Sequence, residues 1–151
     1  MKRFIQFFVL SFLLFSILIP CCANRPDPRT TVKKFIDAVD QSDTSVIGEL
    51  LDFRSLFRGS LEGFSEKSKE ELIPELRQNV LKDFSGEGVT RMTWKNSLLV
   101  VGKSEVAGDS ATVEVTYINK LSGTKDYTKM GLHFVDGKWK IFKLKLEETG
   151  L

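Results

Sequence analysis

Histidine and cysteine are nearly missing from this chain of 151 residues. His133 is the single imidazole, so no histidine pair, catalytic triad or histidine metal cluster can be assembled. The two cysteines, Cys21 and Cys22, are neighbours near the amino terminus, which leaves everything beyond them without a thiol. No disulfide framework, cysteine nucleophile or cysteine-based zinc site is then available to a domain that follows. Net charge is scarce too. Lys2 and Arg3 are the only charged residues among the first 23, and without them 20 basic side chains face 20 acidic ones. That balance excludes a nucleic-acid-binding reading. Phosphate loops, zinc spacings, calcium loops and nucleophile elbows are absent. Gly86-Glu87-Gly88 lacks the strand before it and the helix after it that phosphate binding needs. Internal repeats and low-complexity tracts are absent as well, and no cofactor or metal is expected.

Apolar residues are present but unevenly spread. Phe4 to Ile19 form a run broken only by Gln6, Ser11 and Ser16, preceded by Lys2-Arg3 and followed by Pro20-Cys21-Cys22-Ala23. This is the layout of an export signal. Its 16 residues fall short of the roughly 20 that a helix needs to cross the hydrocarbon core. Two kinds of processing fit. Leu18-Ile19-Pro20-Cys21 loosely follows a lipoprotein signal, making Cys21 or Cys22 the lipidation site. Cleavage after Ala23, with Cys21 and Ala23 as the small residues, is the alternative. Either places the protein in the cell envelope or outside the cell, membrane-anchored in the first case.

Beyond residue 23 the chain reads as a tether over 24–29 (NRPDPR), one domain over 30–146 and a short tail over 147–151. Val32, Phe35, Ile36 and Val39 make one apolar stripe of a helix, and Val46, Ile47, Leu50 and Leu51 a second behind a Ser42 or Asp43 cap. Asp52 to Gly59 reads as a helical turn. Ser68-Lys69-Glu70-Glu71 predicts the capped start of a third helix with Ile73, Leu76, Val80 and Phe84 inward. Pro74 marks either a kink or the start of its regular part. From there the period changes to two. Strands are predicted over Trp94–Val106, Ala111–Lys120, Tyr127–Val135 and Lys138–Leu146, with Asp136-Gly137 as a tight hairpin turn.

Helices followed by a short-turned antiparallel sheet define an α+β fold with the helices on one sheet face. Thr31-Val32-Lys33-Lys34-Phe35-Ile36-Asp37-Ala38-Val39, Ala111 to Tyr117, and above all Phe134-Val135-Asp136-Gly137-Lys138-Trp139-Lys140-Ile141 carry a family resemblance. The chain resembles the nuclear transport factor 2-like cone folds, particularly small exported and lipoprotein members related to lumazine-binding-like domains. The resemblance spans residues 30 to 146 and its motifs are structural. It implies a curved sheet of four or more strands and helices around a conical pocket, used by some members for catalysis and by many for binding.

The expected role is therefore binding of a small apolar ligand or lipid in a helix–sheet cavity, without catalysis. Phe35, Phe57, Tyr117, Tyr127, His133 and Trp139 are the candidate lining residues. Asp52-Phe53-Arg54-Ser55-Leu56-Phe57-Arg58-Gly59 also resembles a segment of the periplasmic phospholipid carriers, which makes lipid carriage one alternative. A protein–protein interaction domain with a filled core, dimeric through its outer sheet face, is another. Enzymatic readings rest on His133 as acid or base, or on Asp37 or Asp40 facing Tyr117 across an apolar cavity. Against them, a strand histidine with no role is the plainer explanation, and Asp37 and Asp40 lie on the polar side of their helix. Lys138, Lys140, Lys143 and Lys145 read as solvated edge-strand lysines. A bulge decides which face the last two take.

Overall fold

A computed structural model describes residues 25–144; the leader, both cysteines and the tail lie outside these residues. Asp27 opens the first helix, α1 (Pro28–Gln41), by accepting the Arg29 amide, with Pro28 in the first turn where its missing N–H costs nothing. The helix thus begins inside the segment expected to be a tether. The residues before it are held too: Arg25 donates to the Gly108 carbonyl at 2.6 Å and pairs with Asp109 at 2.8 Å. The Trp139 indole donates to the Pro26 carbonyl at 2.6 Å. A tether here is corrected to a strap.

Asp43 caps α2 (Thr44–Leu50) and Asp52 caps α3 (Phe53–Leu56). Ser65, rather than Ser68, caps α4 (Glu66–Asp83), so Pro74 lies in that helix's interior. Glu70 and Pro74 are both exposed, so the carbonyl that loses its helical partner faces water, and the inward side is anchored further along, by Val80 and by Phe84 just past the end. A fifth helix, α5 (Val89–Lys95), replaces the expected start of the first strand. Val89, Thr90, Thr93 and Trp94 are good strand formers, yet Asp83 accepts both the amide and the hydroxyl of buried Thr90 and holds this turn helical.

β1 (Ser97–Ala107), β2 (Ser110–Asn119), β3 (Lys125–Val135) and β4 (Lys138–Lys143) form an antiparallel meander in chain order. Asp136 and Gly137 both take positive φ, 51° and 76°, as the tight β3–β4 turn requires. Ile141 faces Leu132 while Lys143 faces Gly131, so Phe142 is the extra residue of a bulge and Lys143 turns out to solvent. A side chain at Gly131 would meet Lys143 and Phe142, which explains the glycine there. Lys138 and Lys140 are not idle edge charges. Both bind Glu49, through its carboxylate at 2.9 Å and its carbonyl respectively, and fasten β4 to α2.

The helices cover the sheet face that presents Val113, Val115, Met130, Leu132 and Ile141, all fully buried. Phe35, Phe84 and Trp94 meet edge to face, with centroids 5.3 to 5.7 Å apart, and fill the space between α1, α4, α5 and the sheet. Arg91 ties the same corner by donating to the carbonyls of Val39, Asp40 and Gly86. Among the described residues, no helix is long and apolar enough to cross a membrane.

Candidate functional site

Where β2 and β3 leave the covered core, their ends and α5 enclose a cavity of about 320 Å³. Trp94 and Tyr117, 5.6 Å apart and inclined at 61°, supply its aromatic wall. Tyr117 follows Val113 and Val115 on the core-facing side of β2, and Asp126 lies opposite Tyr117 in the β2–β3 register. The remaining lining is Thr93, Ser97, Asn119, Ser122 and Thr124. The Asn119 side-chain oxygen accepts the Leu121 and Ser122 amides, which fixes the turn and leaves the amide nitrogen as a donor. Ser122 and Thr124 hydroxyls bond each other at 2.8 Å, and Ser97 donates to the Thr93 carbonyl. Six of the eight lining side chains are polar. This wall suits a small molecule with one flat face and several hydrogen-bonding groups.

Two further cavities flank the helical layer. One of about 510 Å³ runs between α1 and β1 and takes in Asp37, Asp40, Arg91, Lys120 and the other side of Trp94. It shares Trp94 and Ser97 with the first, and Tyr117 is not in its lining. Asp37 and Asp40 therefore open onto different space from Tyr117, which corrects the idea of either of them facing this phenol across one apolar cavity. The third, about 560 Å³, lies beside α3 and carries Arg54, Arg58 and Lys69 with Glu62 and Glu66. Glu66 bridges Arg54 and Lys69 at 2.8 Å each, so two of those cations are neutralised within the protein.

The six residues expected to line one pocket do not come together. Phe35 and Trp139 are core residues, 0% and 2% exposed, and Phe57 at 9% stacks on Phe53. Trp139 instead spends its indole on the amino-terminal strap. Tyr127 and His133 are on the sheet face away from Met130 and Leu132, because side chains alternate along β3. Tyr127 is 54% exposed, and its hydrogen bond to Glu114 pushes the phenol pKa up to about 12. Tyr117 is the one of the six that lines the cavity beside Trp94. Cys21 and Cys22 lie outside the described residues.

His133 has a partner that the sequence did not reveal. Its Nε2 lies 2.8 Å from Asp52 Oδ2, both side chains are about a quarter exposed, and its ring stacks on Phe142 at 5.2 Å. Asp52 sits at the α2–α3 junction, where its amide donates to the Ile141 carbonyl and its carboxylate accepts the Ser55 amide. Burial pushes the Asp52 pKa up. Hydrogen bonds from the Ser55 hydroxyl and amide, attraction to His133 and the Arg54 amide outweigh it, so the carboxyl ends below the ordinary value. Neither residue lines any of these three cavities. The pair joins the α2–α3 junction to β3.

A carboxyl with a depressed folded-state pKa stabilises above its unfolded pKa, and that contribution is lost as pH falls through the folded value. Asp52→Ala is expected to cost about 1 kcal/mol at neutral pH, the usual cost of losing an N-cap. The gap from the parent, read from urea midpoints, should narrow as the pH is taken below 3.8.

No family model and no curated protein sequence matches the chain. Among solved structures it is similar to a crystal structure from Campylobacter jejuni named as a candidate NTF2-like transpeptidase. Identity is 16% and the TM-score 0.48, over 77% of this chain and 97% of that one. The transpeptidase name is that protein's own. The α+β assignment rests on the strand order and helix packing of this chain, which agree with the expected helices-then-meander plan.

The sequence passed over Asp126, Asn119, Thr93 and Ser97 as site residues. Asp126 was legible in principle: a five-residue turn between strands ending at Asn119 and starting at Lys125 sets Tyr117 opposite it. Thr93 and Ser97 depended on α5, which the strand-forming composition concealed.

Proposed function

We propose that the protein is an exported binding domain without catalytic activity, holding a small ligand at the open end of its helix–sheet core. The observation that carries this reading is the Trp94–Tyr117 cavity. It has an aromatic wall and a polar rim, while the space behind it is already filled by Phe35 and Phe84. An acyl chain finds no channel through that packing, so the favoured ligand is compact and bears hydroxyl or amide groups. Export rests on the leader, and the domain acts in the envelope or outside it.

Protein isolated from its own envelope should release such a molecule in denaturing mass spectrometry. Thr124→Leu, which narrows the mouth at an exposed turn position, should abolish that release with the melting temperature unchanged. Release of a phospholipid or fatty acid instead would count for the carrier reading and against this one.

A second reading, self-association through the outer sheet face, is favoured by Leu98, Val100 and Tyr127. They are about half exposed, and Val100 and Tyr127 lie in register through Thr116. Sedimentation equilibrium distinguishes the two, because ligand binding at the cavity needs no second copy.

A further inference from the structure

We infer that the end of the domain bearing the Gly108-Asp109 and Asp136-Gly137 turns rests against a lipid bilayer, with the Trp94–Tyr117 cavity facing away. The inference rests on the exported reading above and commits it to an anchor at Cys21 or Cys22. What decides the orientation is the strap. Arg25 binds the Gly108 carbonyl and Asp109, and its guanidinium lies 4.8 Å from the Phe134 ring centroid. One residue on, the Pro26 carbonyl accepts the indole N–H of Trp139, itself closed into the core. Pro28 is buried at the start of α1. The chain therefore joins the domain at one fixed place rather than through a swivel.

Cys22 is three residue steps before Arg25 and Cys21 four. Even fully extended they reach about 11 to 14 Å. A free tether over 24–29 would have reached roughly 20 Å and let the domain turn. The two turns lie at the same end of the sheet, since the Phe134 amide donates to the Asp109 carbonyl at 2.7 Å. Asn119, Ser122 and Thr124, on the cavity rim, lie at the other end of β2, nine residue steps away and so about 30 Å at strand rise. An anchor with a reach of less than half that length holds the turn end at the surface.

Charge does not replace the anchor. Arg25 pairs with Asp109, Arg29 with Asp27 and Lys138 with Glu49, and Lys140 is held by the Glu49 carbonyl, so three of the cations at this end are matched by carboxylates within the protein. Placement should then be insensitive to salt.

The test uses the full processed chain, isolated with native membranes and transferred to phosphatidylethanolamine–phosphatidylglycerol nanodiscs containing a gadolinium-chelate lipid. Paramagnetic broadening of backbone amides should be at least about tenfold stronger at Gly108, Asp109, Asp136 and Gly137 than at residues 119–124, given the ~30 Å between the ends. In an Arg25→Ala, Trp139→Phe double variant the contrast should fall severalfold; should that variant not fold, the parent measurement decides alone. Equal broadening at both ends, or more at 119–124, would overturn the orientation while leaving the anchor standing. A mature protein that begins at an unmodified Asn24 and stays in the soluble fraction would overturn the anchor. Neither result touches the cavity, whose ligand is read by release from the isolated protein.

Discussion

Phe35→Ala is expected to lower the unfolding free energy by about 3–5 kcal/mol, the range for removing a buried aromatic ring. Phe35 is fully buried and meets both Phe84 at 5.3 Å and Trp94 at 5.7 Å, so its removal costs each of those rings one of its edge-to-face contacts. The wall is held by α1, α5 and the sheet, and Arg91 fastens α1 to α5 through the Val39 and Asp40 carbonyls. Such a frame relaxes only in part, and a void remains. The variant should therefore gain an affinity the parent lacks. Benzene should raise the melting temperature of Phe35→Ala and leave the parent unchanged, because dry apolar cavities of this kind take up apolar solutes. A parent that is also stabilised by benzene would show that the interior is open to begin with.

Gly88→Ala should destabilise at least as strongly as ordinary overpacking, about 3 kcal/mol. Gly88 is the N-cap of α5 with φ −58°, so backbone strain is not the reason. A β-carbon there would overlap the carbonyl of Asp83, with the Lys82 carbonyl close behind. These are main-chain atoms at the end of α4 that no rotamer change can clear. The α4–α5 connection would have to open, and with it the Asp83 cap on Thr90 and the position of Trp94. Gly59→Ala is the matched control. Nothing lies within 4 Å of a β-carbon at Gly59, so its effect should stay within about 0.5 kcal/mol in the same denaturant series.

The contrast between these glycines shows what the sequence could and could not convey. Periodicity located α1, α2, the four-strand meander and the Asp136-Gly137 turn, because each depends on residues within one turn or one hairpin. Gly88 looked like part of a loop, since its reason is contact with a carbonyl on another helix. Trp94 looked like a strand residue because β propensity reports a fit to half-buried surfaces, and a buried helix face can want the same side chain. His133 seemed unpartnered because Asp52 is 81 positions away in the chain and reaches it only through the Leu51–Ile141 bridge. Strand alternation alone placed Tyr117 on the face of Val113 and Val115. Of its polar neighbours only Asp126 could be read, from the hairpin register; the others come from the β2–β3 turn, the start of β1 and a short helix whose mutual placement the core dictates.

The strap has the same character. Asn24 to Arg29 has the composition of a linker, two prolines among charges, and that composition is indifferent to whether a tryptophan 113 positions on will donate to one of its carbonyls. Its attachment fixes Arg25 and Pro26 to the domain, where a linker would have left them free.

The account's central claim is that the helix–sheet interior is filled and that binding belongs to the polar-rimmed mouth. Amide and indole chemical shifts, followed while the domain is titrated with N-acetylglucosamine and separately with palmitate, test it most directly. The predicted result is saturable shifts from the hydroxyl- and amide-bearing ring, confined to the Trp94 indole and to residues 93–97 and 117–126, with palmitate leaving Phe35, Phe84, Met130 and Leu132 unmoved. Palmitate shifting those four residues, with the mouth silent to both compounds, would contradict it.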